Sequence, residues 1–207
     1  MTLNKENIVS SQKTYDEIDE LINNCLLGDK NSFGVLVKHY QKYVSAIVFR
    51  ILWDEDEVKD VVQETFIKVW KNISRYKNEI KFSTWIYKIA VNCTLDRMRK
   101  IKTARKYFAN TTDTNLDFTT SLTENSFLEE FDKKEMIETI KNLSYKLSQT
   151  QRLVFTLIDL GKMNIAETAE ILNITPNTVK TNLSYARKNI RLKIIEIQNW
   201  GVKNEMR

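Results

Sequence analysis

Apolar residues recur at intervals of three and four along most of the chain, which is the spacing of one face of an α-helix. The pattern predicts a first helix over about residues 15–27 and a second that follows it closely. A third is expected to open at Asp54, because Asp54 and Glu57 form a cap-like pair whose charge suits the positive end of a helix dipole. We predict a fourth helix that is capped by Ser83 or Thr84.

The C-terminal part of the chain predicts a short helix, a three-residue break and a longer helix. Asn164 and Glu167 match a capping box at the start of the short helix, and Asn173 tolerates the left-handed conformation that ends one. Thr175 followed by Pro176 predicts the restart, because a hydroxyl caps the first turn and proline has no N–H to leave unpaired there. This arrangement is a helix-turn-helix.

The second of these helices separates apolar residues from basic ones. Its buried face is expected to be Val179, Leu183, Ala186 and Ile190. Residues 176–193 hold five Lys or Arg and no acid, with short polar groups at the N-terminal end. Such a helix suits the major groove of DNA. On spacing alone the alternative stays open, namely two helices of an ordinary all-α core with a solvated basic face.

Composition and charge indicate an all-α protein with a polyanionic partner. Four glycines and one proline in 207 residues are few, and the net charge is +5 with a pI near 9.0. The two cysteines match no metal or disulfide pattern. We find no nucleophile–base pair, metal cluster or phosphate loop in the sequence, so we expect a binding protein rather than an enzyme, without a cofactor. In the absence of a signal segment or an apolar run of membrane-spanning length, a cytoplasmic protein is expected.

Cations and aromatic rings interleave in the middle of the chain. Residues 67–106 contain twelve Lys or Arg against two acids, with Tyr76, Phe82, Trp85 and Tyr87 among them. Rings and cations together hold unstacked bases in single-strand recognition. The alternative is that these rings belong to the core side of an amphipathic helix.

The charge then reverses. Residues 107–132 hold six acids and no Lys or Arg, with many Thr and Ser and little periodicity, so a flexible acidic linker is expected. The linker divides the chain into two small helical domains, residues 15–106 and 133–198. Polar tails are expected at residues 1–14 and 199–207.

The third helix has a mixed outer face, opposite its apolar stripe. That face consists of Asp60, Gln63, Glu64, Ile67 and Lys71. An exposed Ile among acid and amide groups hints at a protein-binding surface, whereas a solvated face with one stray apolar residue is the commoner arrangement.

This succession of elements resembles a bacterial sigma factor of the sigma-70 family, in its small two-domain extracytoplasmic-function (ECF, group IV) branch. The most characteristic stretches are DVVQETFIKVW, FSTWIYKIAVNCTLDRMRK and QRLVFTLIDLGKMNIAETAEILNITPNTVKTNLSYARKNIR. The resemblance spans about residues 18–195. It implies an alternative sigma factor that binds core RNA polymerase, directs it to the −10 and −35 elements of promoters, and helps to melt the DNA while polymerase supplies the catalysis.

The resemblance also implies roles for individual residues. The outer face of the third helix, in the region 2 domain, would dock on the clamp helices of the polymerase β′ subunit through Asp60, Gln63, Glu64, Ile67 and Lys71. The implied −10 residues are Lys81, Phe82, Ser83, Thr84, Trp85, Lys88, Asn92, Asp96, Arg99 and Lys100. The region 4 domain would meet the β subunit flap and the −35 element. Its implied DNA-binding residues are Thr175, Pro176, Asn177, Thr178, Lys180, Thr181, Ser184, Arg187 and Lys188.

Within the −10 set, the cations would contact phosphates, which supply affinity while bases supply specificity. The resemblance places Trp85 near the point of strand separation and Asn92 near an extruded base. Two alternatives stay open: Trp85 belongs partly or wholly to the core, and Asp96 caps or braces a neighbour instead of touching DNA.

The implied partners are core RNA polymerase, promoter DNA and an anti-sigma factor, with no small-molecule substrate. The acidic linker would thread the basic channel towards the RNA exit. Two other functions fit the same residues: a stand-alone helix-turn-helix regulator of duplex DNA, and a decoy that sequesters polymerase without promoter selectivity.

Overall fold

The computed structural model describes residues 17–109, 141–143 and 146–205. Helices make up the regular structure of these ranges, and no strand occurs in them. The N-terminal domain contains α1 (residues 17–26), α2 (Lys30–Leu52), α3 (Glu55–Asn72), a 3₁₀ turn (Ile73–Arg75) and α4 (Phe82–Ala109). The C-terminal domain contains α5 (Gln149–Phe155), a π-helical turn (Thr156–Leu160), α6 (Ile165–Leu172) and α7 (Pro176–Glu205).

The helix ends predicted from local sequence are largely confirmed. The Asp54 carboxylate accepts hydrogen bonds from the first turn of α3. Asn164 and Glu167 form both halves of a capping box, and Asn173 ends α6 with a φ of 53°. Thr175 Oγ1 accepts from the Thr178 N–H at 3.1 Å and so caps α7. These caps satisfy backbone groups that a helix terminus leaves without an intrahelical partner.

Other predicted boundaries are wrong. The helix α4 begins at Phe82, so Ser83 and Thr84 lie inside its first turn instead of capping it. It continues to Ala109, into the first three residues of the predicted linker. The helix α7 runs unbroken to Glu205, through most of the tail predicted at residues 199–207. The rest of the linker, at residues 110–132, lies outside the described residues.

The N-terminal domain is built on three helices, α2, α3 and α4, which pack against one another. Their apolar stripes meet in one core, as the periodicity predicts. Its most fully buried side chains are Leu36, Val44, Val48, Val61, Val69 and Ile86. Because each stripe faces inward, the polar faces of α3 and α4 are left at the surface.

In the C-terminal domain, α5 and α6 pack on α7. Val154, Ala169, Val179 and Leu183 form the centre of this small core. The predicted stripe on α7 is confirmed for Val179, Leu183 and Ala186, whereas Ile190 is half-buried. The packing leaves the opposite face of α7 exposed.

The two domains also pack against each other. A second cluster joins Ile47 and Ile51 of α2 and Val91 of α4 to residues of the C-terminal domain. Those partners are Leu153, Leu157, Met163 and Ile171. Ile171 of α6 is 2% exposed. The helix α6 is therefore buried on two sides, one against its own domain and one against α4.

Within the described ranges, no helix is both long and apolar enough to cross a membrane. The same ranges contain no group of His, Cys, Asp and Glu side chains arranged to hold a metal ion. Cys25 and Cys93 are both buried as free thiols, and burial raises the pKa of each.

Candidate functional site

The outer face of α3 lies at the surface, as the sequence predicted. Asp60, Gln63, Ile67 and Lys71 are exposed, and Ile67 keeps 47% of its surface in water. Glu64 is half-buried and its carboxylate lies 2.8 Å from Lys68 Nζ. The hydrogen bond from Lys68 lowers the pKa of Glu64, so this carboxylate is charged near neutral pH. The face thus presents one apolar side chain surrounded by charged and amide groups.

An apolar groove lies beside this face, between α2 and α3. Its volume is about 630 Å³. Gln63 and Ile67 line it, together with apolar residues of α2 and α3 such as Phe33 and Trp70. Phe33 and Trp70 meet inside it with ring centroids 4.9 Å apart. No local sequence signal marks Phe33 and Trp70 as groove residues, because an open groove between two helices has no periodic signature.

The polar end of α3 is tied to α4 through Arg97. Its guanidinium donates two hydrogen bonds to the Glu57 carboxylate, the one from Nη2 at 3.0 Å, and it lies 3.7 Å from Asp60. The hydrogen bond with Glu57 and the nearby acids raise the pKa of Arg97. Although Arg97 belongs to the basic stretch, its charge is paired with acids of α3 in the same domain, and Asp60 lies near α4 as a result.

The predicted −10 residues on α4 fall into three groups by exposure. Lys81, Asn92, Arg99 and Lys100 are exposed. Ser83, Trp85, Lys88 and Asp96 are half-buried. Phe82 and Thr84 are only 4% and 5% exposed, so in this structure neither side chain is available to DNA. Phe82 belongs to the core of the N-terminal domain, and packing around both side chains shields them from solvent in this conformation.

Trp85 combines a core contact with a partly exposed ring. It stacks on Phe82 at a centroid distance of 5.6 Å and lies 5.5 Å from the ring of Tyr76. Tyr76 in turn donates a hydrogen bond from its hydroxyl to the Ile80 carbonyl at 2.9 Å, and burial raises its pKa. These contacts fix the Trp85 ring in one orientation while one part of it faces water.

Several charged residues of α4, and Lys81 immediately before it, already have partners. Arg99 Nη1 lies 2.7 Å from Asp96, so Asp96 braces Arg99 in this structure. Lys81 and Lys88 each pair with a carboxylate of α6, both at 2.7 Å. Asn92 and Lys100 complete the outward-facing set.

The helix α7 presents its polar residues on the side away from its core. At 100° per residue, Asn177, Thr181, Ser184 and Lys188 lie opposite the buried Val179 stripe, and all four are exposed. The hydroxyls of Thr175 and Thr178 are 2.8 Å apart, and both belong to the cap. Lys180 is exposed on the flank. Of the predicted −35 residues, Asn177, Thr181, Ser184 and Lys188 therefore share one accessible face, and Lys180 and Arg187 lie on its flank.

Arg187 differs from the other cations of α7. Its guanidinium donates two hydrogen bonds to Asp159, a residue of the π-helical turn, and these hydrogen bonds raise its pKa. Asp159 was not singled out from the sequence, because its partner is 28 residues away and no local pattern joins them.

Comparisons with known proteins match this architecture. Family models of Sigma-70 region 2 and of Sigma-70, region 4 match residues 36–104 and 138–190. The chain is 32% identical to the ECF RNA polymerase sigma factor SigW of Bacillus subtilis, over 82% of this chain and 92% of that protein. It is 31% identical to the ECF RNA polymerase sigma-E factor of Haemophilus influenzae, over 81% of this chain and 89% of that protein.

Among solved structures, CnrH in complex with the cytosolic domain of CnrY has the same fold. The TM-score is 0.65 over 87% of this chain and 99% of that chain, at 19% sequence identity.

The matched regions define a sigma factor of the sigma-70 family. Within that family the chain belongs to the extracytoplasmic-function branch, as the identity to SigW over most of both chains shows. The predicted family and the all-α two-domain fold are confirmed. The protein is an alternative sigma factor, which acts in transcription initiation.

Proposed function

We propose that three separate surfaces divide the work of initiation in this protein. The outer face of α3 binds core RNA polymerase, α4 binds the melted −10 strand, and α7 reads the −35 element as duplex. The observation that carries this division is that each helix buries an apolar stripe and exposes a different chemistry: mixed on α3, cationic with a fixed ring on α4, and short polar groups with cations on α7.

On α3 the proposed contacts with the β′ clamp helices are Asp60, Gln63, Glu64, Ile67 and Lys71. An exposed apolar side chain inside a ring of polar groups is the usual composition of a contact centre with its rim. The surface also borders the α2–α3 groove, whose apolar floor suits one face of an amphipathic helix. We assign this groove to an anti-sigma segment, because an occupant there would cover Gln63 and Ile67 and so compete with polymerase.

On α4 we retain the accessible members of the −10 set and omit Phe82 and Thr84, which are buried. The retained residues are Lys81, Ser83, Trp85, Lys88, Asn92, Asp96, Arg99 and Lys100. The cations neutralise phosphates, and the fixed Trp85 ring offers a stacking surface at the edge of the duplex. Because these groups bind single strands, they shift a closed duplex towards the melted state.

On α7 the proposed −35 residues are those predicted from the sequence. The outward patch of Asn177, Thr181 and Ser184 faces base edges from the major groove, with Thr175, Pro176 and Thr178 at the N-terminal cap. Lys180 lies beside the patch, and Lys188 and Arg187 lie further along the helix, where the phosphate backbone passes. We propose that the β subunit flap of polymerase contacts this C-terminal domain. We also propose that the protein works in the cytoplasm, where it meets polymerase.

Transcription reconstituted from purified parts tests the proposal. Core polymerase, the full-length protein and supercoiled genomic fragments are incubated for several rounds, and the transcripts are mapped. Promoter-specific transcripts support a sigma factor. Polymerase binding without transcripts identifies a decoy, and duplex binding that is unaffected by polymerase identifies a stand-alone regulator.

A further inference from the structure

The contact between the two domains buries apolar side chains from both. Ile51 and Val91 of the N-terminal domain are 1% exposed, and Leu157 and Ile171 of the C-terminal domain are 0% and 2% exposed. Half-buried Tyr87, Leu95 and Met98 pack around them. Separating the domains exposes this cluster to water, so apolar burial holds them together in the absence of other partners.

Two ion pairs flank the apolar cluster, and both use cations of the proposed −10 surface. Lys81 Nζ lies 2.7 Å from Glu167, and Lys88 Nζ lies 2.7 Å from Glu170. Glu167 and Glu170 are on α6, the first helix of the helix-turn-helix. Each carboxylate therefore neutralises a lysine that the proposed function assigns to a DNA phosphate.

The carboxylate of Glu167 is fixed before it meets Lys81. One oxygen accepts from the Asn164 N–H at 3.1 Å within the capping box, and the other accepts from Lys81. Burial acts to raise the pKa of Glu167, but the hydrogen bonds from Lys81 and Asn164 outweigh it and lower the pKa. The group is therefore charged at neutral pH and is held in place by its own helix.

We infer that this closed arrangement is a self-inhibited state, in which α6 engages Lys81 and Lys88 of the −10 surface and hinders binding of the melted strand there. The inference rests on the proposed function of α4. The outward patch of α7 stays exposed in the closed state, so closure blocks single-strand binding and leaves duplex binding possible. Polymerase and DNA relieve the inhibition by binding the open state more tightly than the closed one.

We call the two ion pairs, Lys81–Glu167 and Lys88–Glu170, the latch, and the variant E167Q/E170Q tests it. Glutamine keeps the capping box of α6 but removes the charge that holds each lysine. The matched control is E55Q/D56N, which changes the net charge by the same amount on the exposed first turn of α3, away from the interface. Far-UV circular dichroism and thermal melting verify that both variants are folded.

Domain separation is measured first, in the free full-length protein and without DNA. Fluorescence energy transfer between dyes at K38C and N189C reports the distance from α2 to α7, since both positions are exposed. The native Cys25 and Cys93 are buried, which directs labelling to the introduced thiols. The latch variant should lower the transfer efficiency, and the control should not.

Binding of a −10-type single-stranded oligonucleotide is measured next by fluorescence anisotropy. Loss of two surface ion pairs should raise the affinity by roughly two- to thirtyfold. The control should raise the affinity for the oligonucleotide much less, because it changes only the net charge of the protein and no latch contact. The inference is overturned if the latch variant leaves the transfer efficiency unchanged, or if it opens the protein without improving strand binding beyond the control. Failure of the proposed function would appear instead as absence of promoter-specific transcripts, while the latch variant still lowers the transfer efficiency and the control does not.

Discussion

Arg187 on α7 holds the Asp159 carboxylate with two hydrogen bonds, from Nε to Oδ2 at 3.0 Å and from Nη2 to Oδ1 at 2.6 Å. The pair joins the π-helical turn to the flank of α7 rather than to its outward face. The charge of Arg187 is therefore largely balanced by Asp159, whereas Lys188, one residue along, points outward. The resemblance to sigma factors placed both residues in the −35 set, and the structure gives them different surroundings.

Replacing Asp159 by Asn should release Arg187 for phosphate binding. We expect tighter binding to every duplex, with the magnitude of the salt-dependence slope raised by about 0.9, because one more phosphate is neutralised. Anisotropy titrations on several duplexes between low and moderate salt measure this. Asp56→Asn, which makes the same charge change on α3, serves as the control. Weaker binding by Asp159→Asn would mean that the carboxylate positions Arg187 instead of competing for it.

Lys180→Ala and Lys188→Ala should have different effects on promoter choice. Lys180 lies beside the patch that faces base edges, and its loss should cost about 1–3 kcal/mol at one −35 position and flatten the preference there. Lys188→Ala should weaken all promoters alike, as loss of one phosphate contact does. Transcription from a randomised −35 library by each variant measures both effects. If Lys188→Ala rewrites the preferred sequence instead, α7 is rotated differently in the groove.

Ile67→Glu should weaken binding to core polymerase by about tenfold or more, because it places an unpaired charge at the centre of the proposed contact. The free energy of unfolding should change by no more than about 0.5 kcal/mol, since the side chain is exposed. Fluorescence titration with core polymerase measures the affinity. Val35→Glu, at 49% exposure on α2, is the control and should bind as the wild type does. Equal binding by the two variants would remove α3 from the polymerase interface.

Acid should open the domain contact. Because the pKa of Glu167 is lowered in the closed state, its charged form favours closure, and this contribution is complete above the ordinary carboxyl range. It is lost as the pH falls through the lowered pKa. Energy transfer between the labelled domains should therefore drop in mild acid for the wild type. In E167Q the transfer efficiency should be lower at neutral pH and should change less as the pH falls. Identical pH profiles for the two proteins would show that another group controls opening.

Local chemistry made much of this fold predictable. The Asp54 cap, the Asn164–Glu167 capping box and the left-handed Asn173 all involve residues within a few positions of each other, so the sequence states them directly. The apolar stripes likewise required only helical periodicity. The same stripes identified which faces of α3 and α7 are exposed. By itself, then, the sequence determined the helices, their buried faces, the family and the set of candidate residues.

Tertiary structure decided which of those candidates are free to act. Phe82 and Thr84 were withdrawn from the DNA surface by packing, and Ile171 was buried because α4 lies against α6. Glu167 follows Lys81 by 86 residues, and Arg187 follows Asp159 by 28. Such pairs depend on how two domains or two helices dock, and docking is governed by the combined shape of many apolar side chains, which no short window of sequence contains.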